Sequence, residues 1–165
     1  MTAAAVVLAA GAATRYGRPK QRELLPFVLE RLERTSVDAI VVVEGAHGLA
    51  REQGSRVSVV RAAEWERGPG ASLRAGLAAL GDGVTHAVVV LADGPALDPR
   101  AVERLLAHRA DGDVLAATYD GTRDHPVVLA RAVWGTIPDE GGRALAPLLV
   151  DCSDLEPPGD VDVAT

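Results

Sequence analysis

The sequence lacks the residues on which several common classes of protein depend. Cys152 is the single cysteine among 165 residues, which excludes an intramolecular disulfide and a cysteine metal cluster, and we expect a reducing, cytoplasmic location. Aromatic residues make up only 3%, so aliphatic side chains must build the core. No apolar run reaches the ~20 residues of a membrane span, and the start lacks the basic segment of a signal peptide. The formal net charge of −6 argues against general nucleic-acid binding, so we expect neither a nucleic-acid nor a membrane partner.

Apolar segments and amphipathic segments alternate along the chain. Hydrophobic residues make up 48% of it, enough for a single domain over residues 1–165. Because apolar strands alternate with helices, the sequence predicts a Rossmann-like α/β domain with a doubly wound, mostly parallel sheet. The predicted strands are residues 3–10, 38–45, 57–62, 86–93, 113–121 and 125–130, the last an edge or antiparallel strand because of Pro126. Helices are predicted from Pro26, from a cap at Ser72, from a cap at Asp98 followed by Pro99, and more weakly over residues 140–150, with a short helix or turn at 46–54.

Positive charge gathers where the first predicted strand ends. Gly11 and Gly17 would let backbone N–H groups approach phosphate oxygens, while Arg15 and Lys20 would neutralise their charge. Asp93 would repel the same phosphates unless a cation lay between them, and Mg²⁺ takes one or two carboxylates together with substrate phosphates. The pattern therefore predicts magnesium-dependent phosphoryl or nucleotidyl transfer at the carboxyl ends of the strands, where open α/β sheets bind ligands. The segments expected to meet there are residues 11–20, 65–74 and 93–97.

Two common glycine patterns do not fit this turn. A P-loop has four residues between its glycines and then Lys and Ser or Thr, whereas five residues separate Gly11 from Gly17 and Arg18-Pro19 follow. The dinucleotide pattern G-x-G-x-x-G is also absent from the turn. Glu44 ends the second predicted strand, as a ribose-binding acid would, but it lies 33 residues beyond Gly11 instead of ~20. A nucleotide-dependent oxidoreductase of Rossmann type stays open as an alternative.

The glycine turn resembles a known family. The segment LAAGAATRYGRPKQ is similar to the L-A-(A/G)-G-x-x-x-R-x-G-x-x-K signature of the MobA-like nucleotidyltransferases, within the superfamily of sugar-nucleotide and methylerythritol cytidylyltransferases. The start L-A-A-G resembles the molybdenum cofactor cytidylyltransferase branch, since the guanylyltransferase branch usually has L-A-G-G. The resemblance implies a fold of the nucleotide-diphospho-sugar transferase type, with catalytic roles for Arg15 and Lys20. The residues it implies for the nucleotide are Leu8, Ala9, Ala10, Gly11 and Gly17.

Further motifs follow in the order of the same family. WERGPGASLRAGL resembles the segment that approaches the nucleotide, and VVVLADGPALDP resembles the strand that ends in a metal-binding acid. DGTRDHPVVLAR resembles the segment near the acceptor, GGRAL resembles G-A-R-A-L, and GDVDVAT resembles a segment whose acid helps to hold the metal. The residues implied in this way are Gly70 and Ser72 for the nucleotide, Asp93 for catalysis, Asp93 and Asp162 for the metal, and His125 and Pro126 for the acceptor.

The resemblance also implies a reaction. The enzyme would transfer NMP, with CMP favoured over GMP, from CTP or GTP to a phosphorylated acceptor such as molybdopterin, with Mg²⁺ as cofactor and a molybdenum enzyme as a further partner. The sequence departs from the family at Asp124, which replaces Gly, at Val163, which replaces Thr, in a shorter segment after Lys20 and in the missing closing helix. These departures motivate a second hypothesis, a catalytically weak nucleotide- or cofactor-binding protein that acts as a chaperone for a molybdenum enzyme.

Overall fold

One seven-stranded sheet organises the part of the chain that the computed structural model describes, namely residues 2–9, 20–45 and 56–159, with the backbone alone for residues 20–22. In chain order, its strands are β1 (Thr2–Ala9), β2 (Ala39–Glu44), β3 (Val57–Arg61), β4 (Val84–Leu91), β5 (Val114–Tyr119), β6 (Thr122–Ala130) and β7 (Leu148–Asp151). Their order across the sheet is β3-β2-β1-β4-β6-β5-β7. Every neighbouring pair is parallel except the two pairs that involve β6. The predicted mostly parallel sheet is therefore confirmed.

Helices cover both faces of this sheet, which explains why its central strands are apolar along their whole length. The helices are α1 (Lys20–Glu33), α2 (Pro69–Ala78) and α3 (Pro99–Ala107). Leu25 of α1 and Leu105 of α3 pack on one face, and Leu73 and Leu77 of α2 pack on the other. This arrangement confirms the Rossmann-like, doubly wound α/β fold. None of the helices among the described residues is both long enough and apolar enough to cross a bilayer.

The starts of α3 and α2 can be compared with the N-caps predicted at Asp98 and Ser72. Asp98 is the N-cap of α3 as predicted, because its Oδ1 atom accepts a hydrogen bond from the Arg100 N–H at 2.9 Å and Pro99 is the first helical residue. The predicted cap at Ser72 is wrong, since α2 already begins at Pro69 with Gly68 as its N-cap. Proline at the first helical position, where its missing N–H costs nothing, outweighed the serine signal three residues later.

Two other helix predictions are corrected. α1 begins at Lys20, so Pro26 lies inside the helix instead of in its first turn. Leu25 is only 2% exposed, so burial of its side chain extends the apolar face of α1 ahead of the proline. The weak helix over residues 140–150 is wrong, because a 3₁₀ turn at Gly142–Ala144 is followed by β7, which pairs with β5. Pro147 interrupts the helical pattern there. The helix or turn predicted at residues 46–54 lies outside the described residues.

The prediction for Pro126 is half right. β6 is antiparallel, as predicted, but it is an internal strand between β4 and β5 and not an edge. The β5 register shifts between Ala116, which pairs with Val127, and Ala117, which pairs with Asp124. On the other side of β6, the pairing with β4 ends at Val127. Pro126 thus lies in a bulge and outside the ladder, where its missing N–H is tolerated inside a sheet.

Candidate active site

The carboxyl ends of β1 and β4 lie side by side. The two strands are parallel neighbours with Leu8 paired to Leu91, and the Ala92 N–H extends the ladder by donating to the Leu8 carbonyl oxygen at 3.1 Å. β1 therefore ends, at Ala9, beside the turn that contains Asp93. Ala10, Gly11, Arg15 and Gly17 lie outside the described residues, as does the Lys20 side chain, so their contacts with a ligand stay predictions.

The turn that contains Asp93 is covered by a distant segment of the chain. Asp93 is half-buried and lies two residues after the end of β4, and the next residue, Gly94, is buried. A Cβ atom on Gly94 would lie 3.0 Å from Pro158 Cβ and 3.3 Å from the Gly159 carbonyl oxygen, so the absence of a side chain here favours the close approach of the two segments. The Ala96 N–H donates to the Pro158 carbonyl oxygen at 2.9 Å. Asp162, the second predicted metal ligand, lies outside the described residues, three positions after Gly159.

A cleft of about 390 Å³ opens next to these strand ends. Its floor is aliphatic and includes Leu8 of β1, Leu91 of β4 and Leu129 of β6, while Leu73 of α2 forms part of one wall. β6 runs antiparallel to β4 with Val127 opposite Val89, so the residues before Val127 extend toward the carboxyl end of β4. This reversed strand brings a segment from the second half of the chain to the same edge of the sheet as β1 and β4. The residues of that segment that line the cleft are Thr122, Arg123, Asp124 and His125.

The amino end of α2 is hydrogen-bonded to the segment that leads into residues 140–143, which line the cleft. The Gly70 N–H donates to the Asp139 carbonyl oxygen at 2.9 Å, and a Cβ on Gly70 would lie 1.7 Å from the Pro138 carbonyl oxygen. Arg74 donates to the Ile137 carbonyl oxygen at 2.8 Å and to Asp139 Oδ1 at 2.6 Å. These contacts give Gly70 a structural reason to be glycine, independent of the nucleotide role predicted for it. The Arg74–Asp139 contact could not be predicted from local sequence patterns, because its partners are 65 positions apart.

The predicted nucleotide and acceptor residues in the described chain differ in their access to the cleft. Leu8 and His125 line it, and Asp93 and Ala9 end up at the same edge of the sheet. Pro126 is buried behind His125, and Ser72, at 2% exposure, is buried within α2. Their roles toward substrates stay predictions.

The rim of the cleft holds charges of both signs. Asp124 Oδ1 accepts a hydrogen bond from the His125 N–H at 2.7 Å and lies 3.5 Å from His125 Nδ1. The His125 side chain is the main reason why the pKa of Asp124 is lowered. Arg123 donates to the carbonyl oxygens of Gly142 at 3.2 Å and Leu145 at 3.3 Å. Arg123 and Arg143 were not singled out from the sequence, although both lie in quoted motifs, DGTRDHP and GGRAL.

The fold and the cleft at the carboxyl edge of its sheet define the class of this protein, a nucleotide-binding α/β protein of the nucleotidyltransferase type. The chain belongs to the MobA-like NTP transferase family, since the profile of that domain matches residues 5–145. It is therefore a nucleotidyltransferase, and the resemblance seen in the glycine turn is confirmed. No functionally curated protein sequence matches the chain.

Solved structures with the same fold support this assignment. A homologue of Rv0371c from Mycobacterium sp. strain JC1 has a TM-score of 0.81 at 23% identity, over 98% of this chain and 90% of that one. Rv0371c from Mycobacterium tuberculosis H37Rv has a TM-score of 0.76 at 27% identity, over 99% and 94%, and its complex with manganese is similar as well. The 4-diphosphocytidyl-2C-methyl-D-erythritol synthase of Anaerococcus prevotii has a TM-score of 0.68 at 12% identity, over 98% and 92%.

Proposed function

We propose that the protein transfers a nucleoside monophosphate, CMP in preference to GMP, from the triphosphate to a phosphorylated acceptor such as molybdopterin, and releases pyrophosphate. One observation carries the proposal. β1 and β4 are parallel neighbours whose last paired residues, Leu8 and Leu91, line the cleft, so Asp93 and Ala9, the last described residue before the predicted triphosphate turn, follow adjacent strand ends. A phosphate-binding turn and a carboxylate at adjacent strand ends are what a nucleotide with its metal ion requires. The preference for CMP rests on the L-A-A-G start of the turn.

The donor set at the strand ends fits a magnesium ion that is shared with the substrate. No group of three His, Cys, Asp or Glu side chains suited to a metal is found within residues 2–9, 20–45 and 56–159. Mg²⁺ does not need such a group, because it is usually held by one or two carboxylates and by substrate phosphates. Asp93 would supply one carboxylate and Asp162 the other. Asp162 follows by three residues Gly159, which lies beside the Gly94 turn, and three residues of chain span at most about 11 Å.

The residues of the chain would act by positioning and by electrostatics. Arg15 and Lys20 would bind the triphosphate, and backbone N–H groups near Gly11 and Gly17 would orient it. An oxygen of the acceptor phosphate attacks the α-phosphorus, a new P–O bond forms, and the bond to the bridging oxygen of pyrophosphate breaks. Mg²⁺, when bound, would offset negative charge on the phosphate oxygens. No residue needs to form a covalent intermediate in such a transfer.

Pyrophosphate release tests the proposal. The full chain is incubated with molybdopterin and CTP, GTP, ATP or UTP, with and without Mg²⁺. We expect release that depends on Mg²⁺ and is fastest with CTP. Asp93→Asn should lower the rate at least ~100-fold, because a charge that stabilises the transition state is removed. Asp82→Asn is the matched control, since Asp82 is an exposed acid just before β4, at the opposite edge of the sheet, and its loss should leave the rate unchanged.

The other outcomes are equally informative. If no pyrophosphate is released with any of the four triphosphates at high Mg²⁺, the proposal is rejected. If a thermal shift shows that CTP·Mg²⁺ binds but no pyrophosphate appears, the chaperone hypothesis is favoured over the enzyme, since ligand binding alone raises apparent stability. Quenching of protein fluorescence by NAD(P)H would favour the oxidoreductase alternative.

A further inference from the structure

Two arginines on the rim of the cleft have no role in the reaction described so far. Arg123 and Arg143 are the cationic side chains among the described residues that line the cleft. Arg143 is exposed, and no ion pair joins either arginine to a carboxylate within the described part of the chain. Of the two acids on the same rim, Asp124 pairs with His125 and Glu140 is exposed. The cleft therefore presents two positive charges that the neighbouring acids do not neutralise by direct contact.

The backbone around Arg143 holds the two arginines close together. The Arg123 guanidinium donates to the carbonyl oxygens of Gly142 and Leu145, which flank Arg143 in the chain. Burial, and after it the positive charge of Arg143, lowers the pKa of Arg123. Like charges held at short range repel each other, so their proximity is unfavourable in the free protein. An anion that lies between them reverses the sign of this interaction.

The floor of the cleft complements this charged rim with a different chemistry. Leu8, Val89, Leu91 and Leu129 present aliphatic surface from three adjacent strands, and Leu73 of α2 faces the same space. Small-molecule sites typically combine such an apolar surface with a few polar groups that fix the orientation of the ligand. A ligand with a flat or apolar body and a single anionic end fits both parts.

We propose that Arg123 and Arg143 together bind the phosphate of the acceptor, and that the apolar body of the acceptor lies on the aliphatic floor of the cleft. Guanidinium groups match the geometry of phosphate oxygens and bind them with charge-assisted hydrogen bonds. The inference rests on the proposed function, since it is the transfer reaction that makes a phosphomonoester the second substrate. The acceptor class is then a phosphomonoester of an apolar or aromatic compound, and the arginines are distinct from Arg15 and Lys20, which serve the triphosphate.

Phenyl phosphate is a suitable probe, because it has an aromatic body and one phosphate monoester group. Its dissociation constant for the full chain is measured by calorimetry, beside those of inorganic phosphate and of CTP·Mg²⁺. We expect phenyl phosphate to bind more tightly than inorganic phosphate. Arg143→Ala should weaken it at least ~10-fold, as for the loss of a hydrogen bond to a charged group, without changing the affinity for CTP·Mg²⁺. Arg143→Lys keeps the charge but loses the planar guanidinium. Its affinity for phenyl phosphate should therefore lie between those of the natural sequence and Arg143→Ala.

Arg34→Ala is the matched control, since it removes the same charge at the end of α1, on the other face of the sheet, and should change neither affinity. Within the described part of the chain, the Arg143 side chain forms no hydrogen bond or ion pair. Arg123→Ala also removes two hydrogen bonds to residues 142–145, so Arg143 is the cleaner position. An equal loss of affinity for CTP·Mg²⁺ in Arg143→Ala would assign the arginines to the triphosphate and overturn the inference. Binding of CTP·Mg²⁺ with no binding of phenyl phosphate would overturn it too, but would leave the proposed function intact.

Discussion

Asp124 adds a negative charge to the rim of the cleft. The resemblance places a glycine at this position, and a carboxylate there lies beside the anionic acceptor that we propose. The structure shows how this charge is accommodated, because the carboxylate accepts the His125 N–H and lies next to the imidazole. It still faces the same cleft as Arg123 and Arg143. We therefore regard Asp124 as a residue that limits how tightly this cleft holds an anion.

Neutralising Asp124 should strengthen anion binding. In Asp124→Asn the amide oxygen can still accept the His125 N–H, while the negative charge is lost. We expect phenyl phosphate to bind about 2- to 10-fold more tightly, as expected for the loss of one partly screened like charge, and CTP·Mg²⁺ to bind as before. Calorimetry measures both affinities. Asp82→Asn, which removes a distant charge, should change neither, and weaker binding in Asp124→Asn would mean that the carboxylate positions His125 for the ligand.

At the scale of single elements, the packing of α2 on the sheet depends on one glycine. A Cβ atom on Gly76 would lie 2.6 Å from Val6 Cγ1 and 2.8 Å from Val43 Cγ2, and both valines are fully buried. The helix can therefore approach β1 and β2 closely only because this side chain is absent. Since α2 also forms one wall of the cleft through Leu73, its distance from the sheet sets part of the width of the site.

Gly76→Ala should destabilise the fold although alanine favours helices. Overpacking of a tight core typically costs about 1–3 kcal/mol, which exceeds the gain of up to ~1 kcal/mol in helix propensity. Gly83→Ala is the matched control, because a Cβ there meets no atom within 4 Å, and its effect should stay within ~0.5 kcal/mol. Urea denaturation followed by circular dichroism gives both free energies of unfolding. Equal stability of the two variants would show that α2 can shift without cost.

The elements also show what the sequence could and could not predict. β1, β2 and β4 were found because buried parallel strands are continuously apolar, and α3 because Asp98 and Pro99 are strong local signals. β7 was missed because it is a short strand after Pro147 in a segment with helical spacing. The internal position of β6 depends on a bulge around Pro126, which is decided by its neighbours β4 and β5. Such features depend on partners that are distant along the chain.

At the scale of the whole molecule, the candidate site also combines features that the sequence predicts with features that depend on distant partners. The convergence of the first and the fourth strand ends could be predicted, because it follows from the general topology of doubly wound sheets. The pairing of Arg123 with the loop around Arg143 could not, since the reversed strand β6 brings Arg123 to a loop that is about 20 positions away in the chain. The Arg74–Asp139 contact, which holds α2 against the segment before residues 140–143 of the cleft, could not be predicted either. Local motifs indicate the chemistry of a site, and tertiary contacts complete it.

Several carboxyl groups make the stability of the whole molecule sensitive to acid. A hydrogen bond from Arg104 lowers the pKa of Asp154 to about 2, and the pKa values of Asp98 and Asp124 are lowered chiefly by Arg100 and His125. Unfolded aspartates titrate near pH ~3.9, so the unfolded chain binds more protons as the pH falls below about 5. The contribution of these groups is complete above the unfolded pKa and is lost as the pH falls through their folded pKa values.

Burial also lowers the pKa of His86, so the unfolded chain gains a proton first as the pH falls below about 6.5. We therefore expect the urea midpoint to be nearly constant around pH 7, to begin to fall below about pH 6.5 and to fall further between about pH 4 and pH 2. Asp154→Asn should flatten this fall, because the variant has no proton to bind at that position. Asp82→Asn should keep the slope of the natural sequence, because it removes an exposed carboxyl group that forms no ion pair with the described residues. A midpoint that stays constant down to about pH 2 would show that these carboxyl groups bind protons equally in the folded and unfolded chains.

The contact between Gly94 and the segment Pro158–Gly159 bears on how the protein should be handled at the bench. An affinity tag or fluorescent protein joined on the carboxyl side follows Gly159, which lies beside the turn that contains Asp93 and lines the cleft where we propose that substrates bind. A fusion placed ahead of Thr2 departs from the opposite edge of the sheet, where β1 begins. Purification handles for enzyme assays therefore belong on the amino-terminal side.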